Sequence, residues 1–84
     1  MEEVKNKPIK KFRAGAITAT IWSNPSKEGD SEYNTVSFER HYTDKDGNWK
    51  TTNSLRAGDL PKAILVLNKS YEFISLTEEA SQGL

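Results

Sequence analysis

Trp22, Tyr33, Tyr42 and Trp49 are interleaved along this chain with Arg13, Arg40, Lys45 and Lys50, and that mixture of rings and cations is its main chemical resource. Nucleic-acid bases stack on aromatic rings for roughly 1 to 3 kcal/mol each, whatever the base, because every base has a π-face. Lysine and arginine supply the matching contacts to phosphate. The competing structural account is that Trp22 and Trp49 roof the end of a small core, with Arg40 laid over an aromatic ring. Groups for catalysis are sparse. His41 is the single histidine, there is no cysteine nucleophile, and no glycine-rich phosphate loop or metal-ligand spacing occurs. The acids Asp30, Glu32, Asp44 and Asp46 lack the ordered ligand spacing and closing glutamate of a calcium loop. The chain is therefore read as non-enzymatic, with no cofactor and no metal site.

The elements that must position these side chains follow from the pattern around them. Asp46-Gly47 lies between two runs rich in β-branched and aromatic residues, the signature of a hairpin with a two-residue turn. Such a turn sets Asp44 opposite Trp49, Tyr42 opposite Thr51, Arg40 opposite Asn53 and Phe38 opposite Leu55. That register places Tyr42, Trp49 and Arg40 on one face, and His41 on the other with Ser37, Glu39, Thr43, Lys50 and Thr52. Upstream, Phe12 to Trp22 is extended, with Arg13, Gly15, Ile17, Ala19 and Ile21 alternating onto the expected core face. Gly15 marks a bend, bulge or close backbone approach. A polar loop, Asn24 to Ser31, leads to a strand from Tyr33 to Thr43, and a further strand runs from Trp49 to Leu55.

Asp59 is placed to cap a helix with Pro61 in its first turn, and the helix continues toward Leu76. Its expected core stripe is Leu60, Ile64, Leu67, Tyr71 and Ile74, widened by Ala63, Val66, Ser70 and Phe73. That is more apolar width than a small sheet needs, so a helix-mediated dimer contact through Leu65, Val66, Ser70 and Phe73 is expected. The domain organisation read from these signals is a basic N-terminal arm over 1–9, one folded unit over 10–78 and a frayed tail over 79–84.

Length points the same way, because 84 residues bury too small a fraction of their surface to be comfortably stable alone. Twelve basic and twelve acidic side chains give zero formal net charge, which argues against a strong global pull on polyanions. The charges are unevenly placed, however. Lys5, Lys7, Lys10, Lys11 and Arg13 form an acid-free run, whereas Glu72, Glu78 and Glu79 gather near the C-terminus. No apolar run approaches the roughly 20 residues needed to cross a bilayer, and the polar N-terminus has no secretory h-region, so no membrane role and a cytoplasmic location are expected.

From Glu39-Arg40-His41-Tyr42-Thr43-Asp44-Lys45-Asp46-Gly47-Asn48-Trp49-Lys50, through Ser54-Leu55, to the helix from Asp59, the chain resembles the single-stranded-DNA-binding domain of the transcriptional coactivator positive cofactor four. The whirly proteins are related to that family. The resemblance covers about half of the chain. It implies curved antiparallel sheets followed by a helix, dimers formed through the helices, and single-stranded DNA held by aromatic and basic side chains. By that resemblance Tyr42 takes the place of a stacking aromatic and Lys50 that of a phosphate-contacting lysine. The family's unit has four strands before the helix; here a kink at Gly15, or a short added strand over Lys7 to Arg13, would provide the fourth.

The expected fold is α+β: an antiparallel meander of three to four strands followed by one C-terminal helix, assembled as a homodimer. The expected function is binding of single-stranded nucleic acid, DNA rather than RNA, in transcription, replication or repair. Phe12, Trp22, Tyr42 and Trp49 would stack on bases, and Lys10, Lys11, Arg13, Arg40, Lys45 and Lys50 would meet phosphates. The alternative is a protein-interaction module that uses a sheet edge or the surplus helix face.

Overall fold

The computed structural model describes residues 6–26 and 31–76. Most of the expected N-terminal arm, the centre of the Asn24 to Ser31 loop and the whole of the 79–84 tail lie outside them. The chain runs through four strands, β1 (Lys7–Ala14), β2 (Ile17–Pro25), β3 (Glu32–Thr43) and β4 (Trp49–Thr52). A 3-10 turn over Ala57–Asp59 then leads into one helix, α1 (Leu60–Ser75). The strands form a single antiparallel sheet in chain order, β1-β2-β3-β4. The expected α+β class is thus present, with four strands, the upper of the three to four expected.

The extra strand arises at Gly15. Ala14 pairs with Ile17 across a two-residue connection whose first residue, Gly15, has a φ of 62°. A positive φ at that position gives the turn the twist that a tight hairpin requires. Reversal there changes which residues share a face. In one continuous strand Phe12 and Ala14 would lie opposite Ile17 and Ala19, but in the hairpin Phe12 pairs with Ala19 and joins the core face, and Arg13 moves to the other side. Order also begins earlier than expected, because Lys7, Pro8 and Ile9 belong to β1. Pro8 is tolerated on this edge strand, and the pairing shifts register between Pro8 and Lys10.

α1 packs Ala63 and Val66 onto Ile17 and Ala19, with Phe12, Ala14 and Leu55 closing the margins of the cluster. Ser70 is buried too, its hydroxyl donating to the Val66 carbonyl at 2.8 Å, so the buried polar atom is satisfied. The helix face therefore differs from the one expected. Leu60, Ile64, Leu67, Tyr71 and Ile74 remain exposed, Ile64 at 63% and Tyr71 at 69%. The small side chains of Ala63 and Ser70 let the helix axis approach the sheet closely, which a face of Leu and Tyr would prevent. Two residues expected at a dimer contact, Val66 and Ser70, are consumed by packing within the chain, whereas Leu65 and Phe73 stay exposed.

The core is small: Ile17, Ala19, Ile21, Ala63 and Val66 are its buried apolar residues among those described. The Cα radius of gyration is 16.4 Å, against about 12 Å for a compact chain of this length. One helix covers only part of one sheet face, and the opposite face carries no second layer among the described residues.

Candidate nucleic-acid interface

The geometry of the candidate site is decided at the turn between β3 and β4. Gly47 N–H donates to the Asp44 carbonyl at 3.0 Å, and Asp44 N–H donates to the Asn48 carbonyl at 2.9 Å. Gly47 sits at a φ of 82°. The loop therefore has three residues, Lys45, Asp46 and Gly47, with the glycine in the left-handed position that closes such a loop. The Asp44 side chain fixes this choice by accepting from the N–H groups of Asp46 and Asn48, both at 2.9 Å. The Asn48 N–H first, and then the Asp46 N–H and the Lys50 ammonium at 3.6 Å, hold the Asp44 carboxyl below the usual aspartate range.

A three-residue loop in place of a two-residue one slips the pairing by one position, which exchanges faces along the whole second strand. Thr43 pairs with Trp49, Tyr42 with Lys50, His41 with Thr51 and Arg40 with Thr52. This corrects the expected register. Trp49 does not share a face with Tyr42 and Arg40, and Lys50 lies with Tyr42 rather than with His41. Nine of the ten candidate binding residues are divided between the two sides of the sheet, and Lys45 lies in the turn.

The helix side holds Lys10, Phe12, Arg40, Tyr42 and Lys50. Arg40 meets Asp59 at 3.1 Å, with side-chain exposures of only 14% and 16%, and its guanidinium lies 5.5 Å from the centre of the Tyr42 ring. Asp59 also accepts from the Arg56 N–H at 2.7 Å. Its carboxylate thus ties the 3-10 turn to β3 instead of capping α1, where no side-chain cap bond forms. Phe12 packs edge-on against Phe73 at 6.4 Å, with the Lys10 ammonium within 6 Å of both rings, at 5.4 and 5.9 Å. These side chains join helix to sheet. The account in which arginine lies over an aromatic as part of the structure applies to Arg40 and Tyr42.

The open side holds Lys11, Arg13, Trp22, Tyr33, His41 and Trp49 over a floor of Thr18, Thr20, Thr35, Ser37, Thr43 and Thr51, with Glu39 as its acid. Trp22 is half-buried, and its indole N–H donates to Ser37 Oγ at 2.9 Å, one diagonal step across the sheet. Trp49 is 72% exposed on the edge strand. The two tryptophans stand beside Thr35 and Thr43, eight positions apart on β3 and so about 26 Å apart along the strand. They mark two ends of a surface and do not stack together. Lys11 and Arg13 occupy the β1 margin at levels between them. Among the described residues the ion pairs are Arg40–Asp59, Lys50–Asp44 and Lys69–Glu72, so neither open-side cation is neutralised by a carboxylate. Arg13 Nε donates to the Gly15 carbonyl at 2.9 Å, which leaves its other N–H groups to solvent. Lys45 stands apart in the exposed turn.

Sequence reasoning passed over the hydroxyl floor. Thr18 and Thr20 are buried although they lie on the helix-free side, beneath the longer side chains around them. Their signal is the alternation Ile17-Thr18-Ala19-Thr20-Ile21, which gives the same strand one aliphatic and one hydroxylic face. Among the described residues no cluster of histidine, cysteine, aspartate or glutamate is arranged to hold a metal ion, and no helix is long and apolar enough to cross a membrane. No family model matches the chain, and no curated protein or solved structure matches it either.

Proposed function

We propose that this chain binds single-stranded nucleic acid, DNA in the first instance, on the open face of its sheet and without catalysis. One observation carries the reading: Trp49 is 72% exposed on a face that it shares with Trp22 and with two cations, Lys11 and Arg13, that have no carboxylate partner among the described residues. Rings there can take bases while the β1 margin takes phosphates, and the intervening threonine and serine hydroxyls can bond to either. In this reading Trp22, Trp49, Lys11 and Arg13 form the contact surface, and Lys45 extends it at the turn. Phe12, Tyr42, Lys10, Arg40 and Lys50 support the sheet from the other side. The working unit is a homodimer.

The test is a titration of tryptophan fluorescence with a short oligothymidine at low and moderate salt, beside a duplex control. Saturable quenching that favours the single strand and weakens steeply with salt is expected, since bound phosphates release counterions. Trp49→Ala should cost roughly 1 to 3 kcal/mol of that binding. No quenching at tens of micromolar would overturn the reading. The second reading, a protein-interaction module, is favoured by the uncharged exposed stripe of α1, and it expects association that is insensitive to salt.

A further inference from the structure

We propose that the unpaired edge of β3 is the seat of a second copy of this chain, docked strand to strand about a two-fold axis beside Thr35. β3 is bonded to β2 from Glu32 to Arg40, yet β4 covers its other edge only from Arg40 to Thr43. Asn53 Nδ2 donates to the Phe38 carbonyl at 2.8 Å, which marks where the chain leaves that edge. Because His41 N–H points to Ala16 on the β2 side and Phe38 C=O points to the β4 side, the even-numbered residues of β3 direct their backbone groups outward. Among the described residues the N–H and C=O groups of Asn34 and Val36 therefore form an open ladder.

Three features select a second copy over a foreign peptide. From Tyr33 to Phe38 the strand carries no charge, so two copies meet without like-charge repulsion. The opposite edge, β1, carries Lys7, Pro8 and Lys11, residues that discourage strand addition. The third is the helix. Phe73 packs on Phe12 of β1, and the stripe Leu60, Ile64, Leu67, Tyr71 and Ile74 lies on the other flank of the buried Ala63, Val66 and Ser70, which directs it toward the β3 side of the sheet. A two-fold normal to the sheet pairs Asn34 of each copy with Val36 of the other and brings both stripes together above the joined strands. A peptide would fill the ladder and leave the stripe in water. The same axis puts the Trp22 of each copy, next to Thr35, on one continuous open face about 14 Å apart, three strand spacings. Only that last consequence rests on the proposed binding function; the interface does not.

The cysteine-free chain allows a direct test. In the variant Thr35→Cys the two cysteines meet at the axis as a non-hydrogen-bonded pair, about 4.5 Å between Cα atoms and within disulfide reach. Mild oxidation should convert most of the protein to a covalent dimer, whereas Thr43→Cys, on the same face but off the axis, should remain uncross-linked. Val36→Lys should shift the dimer to monomer in sedimentation, with its circular dichroism unchanged. A wild-type chain that stays monomeric at high concentration would overturn the proposal, as would a dimer in which Thr35→Cys fails to cross-link. If Val36→Lys unfolds, the cross-link alone decides. Oligothymidine quenching is read separately, so loss of the interface and loss of nucleic-acid binding remain distinguishable.

Discussion

On the helix side of the sheet Arg40 reaches Asp59 at 3.1 Å and lies against Tyr42, while on the open side Lys11 and Arg13 have no carboxylate partner among the described residues. The aromatics divide in the same way: Phe12 packs on Phe73, and Trp49 stands in solvent. Both faces draw on one vocabulary of rings and cations. What separates a brace from an open, unpaired surface is the parity of a residue's position in the ladder, which residue type does not disclose.

Substitutions on the two sides should therefore diverge, most of all beneath the helix. Ile17→Ala, at a fully buried site, should cost about 3 kcal/mol in urea unfolding. A loss under 1 kcal/mol would mean that the helix-side core does not hold the fold. Arg40→Ala should cost about 2 to 3 kcal/mol, because it strands a largely buried carboxylate at Asp59. A double-mutant cycle with Asp59→Ala should show coupling between the two sites, and additive losses would dissolve the brace. Lys11→Ala should lower the salt slope of oligothymidine binding by about 0.7, whereas Lys50→Ala should leave it unchanged. Equal slopes would erase the distinction between the faces. Trp49→Ala should alter stability by no more than about 0.5 kcal/mol, as expected for an exposed side chain, even as it weakens binding.

The smallest effect concerns the turn that sets the parity. The folded Asp44 carboxyl is held below its ordinary range, so it binds its proton less readily folded than unfolded. Its contribution is complete above the unfolded value, about pH 4, and is lost as pH falls through the lowered folded value. Asp44→Asn should flatten that acid limb of the thermal melting curve, and an unchanged limb would remove the carboxylate from the account of the loop.

The core strand was legible from alternation alone, since Ile17, Ala19 and Ile21 are buried as the pattern requires. The hairpin at Asp46-Gly47 was legible as well, but its register was not. Two- and three-residue loops share the same Asp-Gly signature, and the choice between them rests on the Asp44 carboxylate gathering two backbone N–H groups. That single residue of loop length carried Trp49 to one face and Lys50 to the other. Gly15 announced an interruption without saying whether the chain bends or reverses. On α1 the helical period identified an apolar stripe, but closeness of approach favoured Ala63, Val66 and Ser70 over the larger side chains beside them.

Every strand in the sheet neighbours the strand next to it in the chain. Each pairing closes a short connection, so little loop entropy is lost before contacts form, and β1 to β4 can zip in succession from the Gly15 and Gly47 reversals. A refolding protomer should therefore complete its sheet within milliseconds. A slower phase that quickens with protein concentration would report the proposed pairing of two copies, whereas one from isomerisation at Pro8, Pro25 or Pro61 would be independent of concentration.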